Sequence, residues 1–441
     1  MRRFQVCLAV VVLLTAAPLF AQSKAKVQNV PEIWKRIEAV GLKTTEACGD
    51  CPRVVLGSPL AGESLNEIID PTPAIDEIVR RYIGKKEYSN LPRKFKTAIS
   101  GQQDVVHEIN DIAFVGVRHP EHGPGFDLWV GGGLSTNPKL GVRLGAWVPL
   151  DEVADVWAGV VGLFRDYGYR RLRHRARIKF LIADWGAERF REVLESEYLK
   201  RPLVDGPAPE HWLGPRDHIG VHKQVDGLNY VGAAAIAGRV SGTKLIKVAE
   251  AAERIGSSRL RTTVQQQLLV LDVADEKVQP LVAELAELGL HADPTPWRRN
   301  TMACTGIEFC KLAIVETKGR AAALVTELET RLADIPELGA PISIHLNGCP
   351  NACARTQTAD IGLKGQIMTD SDGNQVPGFQ VHLGGGLGLD AGFGRKLRGL
   401  KVSSSGLGDY VDRLVRQYVK ERNTDERFAQ WVARADDSDL Q

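Results

Sequence analysis

The chain has 441 residues, of which 44% are hydrophobic and 25% are charged. This composition is that of a folded protein of several domains, and it excludes a disordered tail, a collagen and a multi-span membrane protein. Fifty-six lysines and arginines against 54 acidic residues leave a net charge of +2, so no overall field draws the chain onto nucleic acid.

The first 22 residues have the pattern of a secretory signal peptide. Arg2 and Arg3 form a basic start, and the apolar run Val6–Ala17 is followed by the small residue Ala21. The run is too short for a comfortable membrane span. The segment alone predicts export, with a twin-arginine signal as a second interpretation.

Two pairs of stretches repeat along the chain at nearly equal separations. VPEIWKRIEAVGL (30–42) matches VQPLVAELAELGL (278–290), and each pattern predicts a helix that ends at a glycine. GFDLWVGGGL (125–134) matches GFQVHLGGGL (378–387) in the same way. The sequence therefore predicts a duplicated module.

Only the second copy is preceded by an additional predicted unit. Strand patterns at Leu228–Ile236 and Arg261–Val273 surround an apolar helix near Thr243–Ile255, which predicts a small α+β unit. Its counterpart would precede Val30, where the signal-like segment stands, so we expect a chain truncated or rearranged at its N-terminus. The Pro- and Gly-rich stretch Arg201–Pro215 predicts a linker. Further helices are expected at Leu150–Asp166, Gly186–Leu199, Lys318–Leu332 and Ser405–Asn423.

Four of the seven cysteines form two closely spaced pairs, Cys304 with Cys310 and Cys349 with Cys353. Thiolates bind zinc or iron–sulfur clusters. Structural zinc usually takes cysteines two residues apart, which fits these spacings poorly. Unrelated buried cysteines are a further alternative. The Asn-Gly and Pro-Asn turns around Cys349 let the backbone approach a ligand, and they favour a [4Fe–4S] cluster.

The sequences around these cysteines, TMACTGIEFCKLAIVET (301–317) and LNGCPNACAR (346–355), closely resemble the cluster motif of sirohaem-containing sulfite and nitrite reductases. The resemblance extends to TTEACGDCPR (44–53), LPRKFKTAISG (91–101) and HLGGGLGLDAGFGRKL (382–397). It is greatest to the actinobacterial ferredoxin-dependent sulfite reductases. It implies an α+β fold, internally duplicated, with one ferredoxin-like half-unit and two α/β cofactor-binding units.

The resemblance also implies roles for individual residues. Cys304, Cys310, Cys349 and Cys353 would hold a [4Fe–4S] cluster, and Cys353 would also ligate the sirohaem iron. Arg53, Lys94 and Lys96 match the family's anion-binding positions, although solvated surface charges are the plainer interpretation of these residues. The cations would come from the first copy and the cysteines from the second.

The implied function is the six-electron reduction of sulfite to sulfide with electrons from reduced ferredoxin. Lys96 favours sulfite, because plant-type nitrite reductases of the family tend to carry asparagine there. Ferredoxin–nitrite reductase is an alternative. A truncated remnant without catalysis is another, since the family's first half-unit is missing from the expected layout and its loss would leave turnover weak or absent.

Two further features lie in the first copy. The basic run YRRLRHRARIKF (169–180) is either a solvated face, a site for sirohaem carboxylates through Arg173 and Arg175, or a surface for an acidic ferredoxin. Cys48 in Ala-Cys-Gly matches Cys304 in Ala-Cys-Thr, so we expect the two cysteines to occupy equivalent places. With Cys51, Cys48 also forms a C-x2-C pair of the kind used for metals or redox chemistry.

The expected organisation follows from these features. Free thiolates belong to a reducing compartment, so the cytoplasm is expected despite the signal-like segment. We expect a monomer with no membrane span. The expected parts are the signal-like segment (1–24), a first cofactor-binding unit (25–200), the linker (201–218), a ferredoxin-like half-unit (219–297) and a second cofactor-binding unit (298–441).

Overall fold

The computed structural model describes residues 29–42, 46, 49–212, 214–335, 338, 340–388 and 391–441. Within these ranges the chain forms three β-sheets, each covered by helices. The signal-like segment and Cys48 lie outside the described residues. None of the helices in the described ranges is both long enough and apolar enough to cross a membrane.

The first sheet has six strands in the order β1 to β6. β1, β2 and β3 are parallel neighbours, and the pairings from β3 to β6 are antiparallel. A short helix, α1 (Val30–Ala39), precedes the sheet. The strands are β1 (Pro52–Gly57), β2 (Phe95–Ser100), β3 (Ile112–His119), β4 (Gly123–Val130), β5 (Val142–Val148) and β6 (Val204–Asp205). Since β6 falls within the stretch expected as a linker, part of that stretch extends the sheet.

Three helices pack on this sheet and complete its core: α2 (Thr72–Arg81), α3 (Val153–Tyr167) and α4 (Ile178–Val193). The helix α3 confirms the expected one, because its apolar run is buried almost continuously from Val153 to Phe164. The helix α4 begins eight residues before the expected Gly186. That glycine adopts a φ of +78° and kinks the helix, and the last expected turn, Leu194–Leu199, is a π-helix.

The second sheet has four antiparallel strands in the order β7-β8-β10-β9. Its strands are β7 (Gly220–Lys223), β8 (Asn229–Ala234), β9 (Leu260–Thr262) and β10 (Gln267–Val273), and its helices are α5 (Gly242–Arg254) and α6 (Asp275–Glu287). Apolar residues of both helices pack on β8 and β10 in a separate core. The expected small α+β unit is therefore confirmed, with Arg261–Val273 divided into two strands.

The third sheet has five strands in the order β11 to β15. Its strands are β11 (Thr301–Ala303), β12 (Ile344–Asn347), β13 (Ile361–Thr369), β14 (Gln375–Leu383) and β15 (Arg395–Ser403). The associated helices are α7 (Pro296–Asn300), α8 (Gly306–Phe309), α9 (Lys318–Arg331), α10 (Leu407–Glu421) and α11 (Phe428–Arg434). The helices α9, α10 and α11 cover one face and bury a large apolar cluster.

Strand pairing confirms the duplication. In the first and third sheets, two parallel pairings are followed by two antiparallel ones. In both sheets, the glycine after the fourth strand donates its N–H to the carbonyl of an equivalent aspartate. The N–H of Gly131 donates to Asp111 O, and that of Gly384 donates to Asp360 O, each at 2.8 Å. Ile112 and Ile361, which follow these aspartates, are therefore equivalent.

This equivalence corrects one expectation from the sequence. Counting along the paired strands makes Gly57, the last residue of β1, the counterpart of Ala303, the last residue of β11. The residue that corresponds to Cys304 is then Ser58, and the match of Cys304 with Cys48 was wrong. Three similar letters carry no information on strand register, which depends on pairing with distant segments.

Candidate functional site

The cysteines of the second copy lie at one edge of the third sheet. Cys304 directly follows β11, and Cys349 follows β12 after a single glycine. Because β11 and β12 are parallel, their carboxyl ends meet at the same edge of the sheet. The backbone N–H of Cys304 donates to Leu346 O at 3.1 Å, which holds the two segments side by side.

Gly348 allows the segment that carries Cys310 to approach the other cysteines. Its N–H donates to Cys304 Sγ at 3.2 Å, and its carbonyl accepts the N–H of Ile314 at 2.7 Å. A Cβ at this position would lie 2.9 Å from Ala313 Cβ, so only glycine fits here. Cys310 follows α8 directly and lies four residues before Ile314.

A buried asparagine shapes the loop that carries Cys353. Asn347 Oδ1 accepts the N–H of Ala354 at 2.7 Å, and Ala352 and Arg355 adopt positive φ values of 54° and 59°. The loop therefore folds back on the end of β12. Cys353 itself remains exposed, whereas Cys349 is buried.

The spacing of the sulfur atoms distinguishes between the metal alternatives. No three cysteine sulfurs in the described ranges lie within 4.8 Å of one another. A single zinc ion bound at about 2.3 Å would hold its four sulfurs at about 3.8 Å. A four-iron cluster separates its thiolates more widely. The donor set thus fits a cluster better than a zinc ion, and Cys304, Cys310, Cys349 and Cys353 are all free thiols.

The first copy faces these cysteines with lysines. The pKa of Cys353 is raised mainly by burial. The neighbouring Cys304 and Cys349 raise this pKa further, whereas Lys96 and Lys94 lower it. Lys96 lies on β2, and Lys94 lies just before that strand. The structure therefore brings Cys353 of the second copy together with both predicted lysines of the first.

Arg53 belongs to the same cationic group. It lies on β1, the neighbour of β2, and its Nη1 donates to Glu46 O at 2.6 Å. Burial lowers the pKa of Lys96, and Arg177 and Arg53 add to the effect, whereas Asp111 and Cys353 oppose it. Burial, Lys96, Arg177 and Arg53 also lower the pKa of Lys94. Several positive side chains thus converge with few negative charges among them.

Sequence reasoning did not assign a role to Asp111 or Arg177. Asp111 is fully buried, and its two carboxylate oxygens accept Nε and Nη2 of Arg177 at 2.9 and 2.8 Å. Its Oδ2 also accepts the backbone N–H of Lys96 at 2.8 Å. Asp111 therefore holds β2 and Arg177 in place beside Lys96. Arg177 belongs to the basic run, but the run itself does not indicate that Arg177 pairs with the distant Asp111.

Lys96 lies in a partly enclosed position that solvent still reaches. Its side chain is exposed to solvent, although burial dominates the lowering of its pKa. Both observations hold for a side chain in a cleft with protein on most sides. Cys353 has the same combination of an exposed position and a pKa raised by burial. The space between the copies is therefore open to a ligand.

Arg355 lacks an ion-pair partner, and several buried oxygens lack a hydrogen-bond partner. Arg355 is partly buried and donates through Nη2 to Val264 O at 3.0 Å, yet no carboxylate of the described residues forms an ion pair with it. Burial lowers its pKa to about 10. Buried side-chain oxygens of Gln265, Thr301 and Gln357 also have no hydrogen-bond partner. Glu108 acts on this guanidinium only at a distance, and a guanidinium without an ion-pair partner fits a ligand that carries carboxylates, as sirohaem does.

Residues just after the two glycine triplets hold the copies together by reciprocal contacts. Gln357 Nε2 of the second copy donates to Ser135 O of the first at 2.8 Å, and Glu108 Oε1 of the first copy accepts the N–H of Gly388 of the second at 3.0 Å. By the strand register, Glu108 corresponds to Gln357 and Ser135 to Gly388. We call these two contacts the reciprocal clamp. Arg216 reinforces it through Nη1, at 2.8 Å from Glu108 Oε1.

Arg173 and Arg175 form their hydrogen bonds and ion pairs with residues of the first copy, not with the cysteines of the second. They form a short 3-10 turn between α3 and α4, not a strand or a helix face. Arg175 pairs with Asp184 at 2.6 Å and stacks on Tyr169, so its charge is already matched. Arg173 is exposed, and its Nη1 donates to Pro92 O at 2.7 Å. Their binding of sirohaem remains a prediction, which Arg173 suits better than Arg175.

Two family models match the chain. The "Nitrite and sulphite reductase 4Fe-4S domain" matches residues 48–203 and 296–437, and the "Nitrite/Sulfite reductase ferredoxin-like half domain" matches residues 221–288. The first model thus matches both copies, and the second matches the four-stranded sheet and its helices.

Individual proteins resemble the chain over most of its length. A "Sulfite reductase (ferredoxin)" of Mycobacterium tuberculosis is 66% identical over 416 residues, which is 94% of this chain and 75% of the relative. A "Ferredoxin--nitrite reductase" of Synechococcus elongatus is 38% identical over 84% of this chain and 72% of the relative. The solved structure of the Mycobacterium tuberculosis NirA protein has a TM-score of 0.95 and 62% identity, and the match covers 99% of this chain and 82% of that one.

Proposed function

The chain belongs to the nitrite and sulphite reductase family, and from that membership we propose that it reduces sulfite to sulfide with electrons from reduced ferredoxin. The relatives with about two thirds of their residues identical bear the name of ferredoxin sulfite reductases, and those named nitrite reductases are less similar. The observation that carries the proposal is the meeting of Lys94 and Lys96 of one copy with Cys353 of the other.

The cofactors of this family fit the residues present. Cys304, Cys310, Cys349 and Cys353 would hold a [4Fe–4S] cluster, and Cys353 would also be the ligand shared with sirohaem. When bound, this pair of cofactors supplies single electrons to the sulfur atom of the substrate. Arg355 and the glycine triplets beside the reciprocal clamp are suited to the carboxylates and the flat faces of the macrocycle.

The lysines and Arg53 would bind the substrate. Sulfite is a small oxyanion, and fixed cations in a cleft offset its charge more strongly than they would in open water. Their convergence supports this role, because few carboxylates compete for them. Asp111 takes part indirectly, since it holds the backbone of Lys96 and the guanidinium of Arg177.

Lys94 and Lys96 would also supply protons. Each oxygen that leaves sulfite must leave as water, so proton donors are needed beside the anion. Burial and neighbouring cations lower the pKa of both lysines, which makes each ammonium a stronger acid than a lysine in water. Solvent can restore the protons because Lys96 remains exposed.

We place the protein in a reducing compartment, the cytoplasm. The four proposed cluster ligands, Cys304, Cys310, Cys349 and Cys353, are free thiols. Free thiolates and iron–sulfur assembly require reducing conditions.

Substitution of Lys96 by asparagine tests the substrate. We expect Lys96→Asn to lower kcat/KM for sulfite at least about tenfold relative to nitrite, because sulfite carries more charge than nitrite and loses more from a missing cation. The measurement is ferredoxin-dependent turnover of both anions by the full chain. Lys86→Asn is the matched control, since Lys86 is exposed on a separate 3-10 turn. An unchanged preference in Lys96→Asn would contradict the assignment of sulfite.

A further inference from the structure

Lys318 places a cation beside the proposed cluster ligands without an ion-pair partner. Its Nζ donates to Ala237 O and, at 3.1 Å, to Gln266 Oε1. No carboxylate among the described residues lies within 4.0 Å of this ammonium. Both acceptors are neutral, and both belong to the segment that carries the four-stranded sheet. The positive charge of Lys318 is therefore held in place but not neutralised.

Helix stability does not explain a lysine here. Lys318 is the first residue of α9, where the partial positive charge of a helix N-terminus disfavours a cation. The first turn contains no acidic residue. Glu316 accepts the N–H groups of Gly319 and Arg320, each at 2.8 Å, so the free donors of the helix are already satisfied by a different side chain. An unfavourable residue at such a position is expected where function requires it.

The proposed cluster ligand that acts on Lys318 is Cys304. The residue before Lys318, Thr317, donates its hydroxyl to Cys304 O at 2.7 Å, which brings the start of α9 against this cysteine. The pKa of Lys318 is lowered by burial to about 8, and Cys304 acts in the opposite direction as the charge that favours the ammonium. The N–H of Gly348 points at the same sulfur atom.

We propose that Lys318 sets the reduction potential of the cluster that Cys304 helps to bind, and this inference rests on the proposed function. Each electron that a ferredoxin gives up adds one negative charge to the cluster, and no covalent bond is broken. A fixed positive charge nearby stabilises the reduced form more than the oxidised form, so it raises the potential. Lys318 is thus a positioning residue that acts on the cluster through Cys304.

Gln266 connects this charge to the ferredoxin-like half-unit. The side-chain amide of Gln266 donates through Nε2 to Ala303 O at 2.9 Å, and its Oε1 accepts from Lys318. Ala303 directly precedes Cys304. The half-unit therefore fixes both the lysine and the strand end that carries the thiolate, which keeps the distance between charge and sulfur constant.

A redox titration tests the inference. The full chain, purified without oxygen and loaded with cluster, is titrated while the reduced cluster is followed by electron paramagnetic resonance. In Lys318→Met and in Lys318→Gln, we expect the ratio of reduced to oxidised cluster at a fixed potential to fall about tenfold, which is about 59 mV for a one-electron couple. Lys318→Arg keeps the charge and should stay within about threefold of the wild type.

Lys311 provides the matched control. It adjoins Cys310 but is exposed, so water and salt screen its charge, and Lys311→Met should change the ratio by less than about threefold. Iron content is measured in every variant. A loaded Lys318→Met or Lys318→Gln protein with an unchanged potential contradicts the inference alone, as does an equal shift in Lys311→Met. Failure of both neutral variants to take up cluster also contradicts it, because it points to a role in assembly. A wild-type chain without cluster contradicts the proposed function as well.

Discussion

Asp111 is the single residue on which most of the candidate anion site depends. Its carboxylate is fully buried, binds Arg177 through both oxygens and holds the backbone N–H of Lys96. Loss of one partner of such a pair leaves the other charged and unmatched. Neither Lys96 nor Arg177 would then keep its position relative to Cys353.

We therefore predict that Asp111→Asn lowers the free energy of unfolding by about 3 kcal/mol and kcat/KM for sulfite at least about tenfold. The matched control is Asp127→Asn. Asp127 is equally buried and binds Arg143 through both oxygens, at 2.6 and 2.9 Å, but makes no contact with the lysines. Urea unfolding and steady-state turnover measure the two effects. If both variants lost activity equally, Asp111 would have no specific role in the site.

Two buried histidines predict acid sensitivity. Burial is the main cause that lowers the pKa of His107 to about 4 and that of His345 to about 3. In the unfolded chain a histidine has a pKa of about 6.5. As the pH falls, the unfolded state binds protons that the folded state does not, so the free energy of unfolding decreases by about 2 kcal/mol per histidine between pH 7 and 5.

Substitution of His345 by glutamine tests this linkage. Between pH 7 and 5, His345→Gln should lose about 2 kcal/mol less stability than the wild type, as measured by urea unfolding. His174→Gln should behave as the wild type, because His174 is exposed in the loop between α3 and α4. Identical pH dependence of all three proteins would show that His345 is not kept neutral by the fold.

At the scale of elements, the two glycine triplets pack closely against the loops that carry the reciprocal clamp. A Cβ on Gly132 would lie 2.4 Å from Glu108 O, and one on Gly385 would lie 2.3 Å from Gln357 O. The triplets therefore let the backbone pass close to the loop that precedes β3 or β13. The side chains of Glu108 and Gln357 then reach across to the other copy.

We predict that Gln357→Leu lowers the sirohaem content per chain several-fold, because Ser135, which follows the first glycine triplet, loses its contact with the second copy. Gln380→Leu is the control: Gln380 donates to Leu397 O at 2.9 Å, but this bond lies within the third sheet. Both substitutions remove a buried hydrogen bond and should cost about 1 to 3 kcal/mol of stability. Equal sirohaem content in the two variants would leave the clamp without a role in cofactor binding.

Strand register reveals what the first copy has in place of a cluster. Ser58, the counterpart of Cys304, donates to Asp104 Oδ2 at 2.5 Å, and Ser100, the counterpart of Asn347, donates to Asp104 Oδ1 at 2.7 Å. His218 lies 3.1 Å from the same carboxylate. The equivalent edge of the first sheet is therefore filled by a buried polar network, and the two copies have become specialised.

At the scale of the whole molecule, charged groups join the sheets. Arg259 of the four-stranded sheet binds Glu63 of the first copy and Asp272 of its own sheet. Arg299, next to β11, binds Asp217 at 2.6 Å. Such partly buried pairs between segments distant in the sequence fix the orientation of the units that enclose the cleft.

Much of the fold could be predicted because its signals are local. The apolar run of α3, the small α+β unit and the repeated Gly-Gly-Gly stretches each follow from short stretches of sequence. The cysteine pairs identified the cluster motif for the same reason. The roles of Asp111, Arg177 and Arg355 could not be read, because each depends on a contact with a residue distant in the sequence. The match of Cys48 with Cys304 failed because only pairing defines register.

The most direct test of the account is the absorption spectrum of the full chain, produced with sirohaem synthesis and purified without oxygen, together with its iron and zinc content. We predict sirohaem bands with an iron–sulfur shoulder, a change in these bands on addition of sulfite, and the loss of that response in Cys353→Ser. A protein that binds zinc in place of iron, or whose sirohaem bands do not change on addition of sulfite, would contradict the proposal that the cations of the first copy and Cys353 of the second form one site.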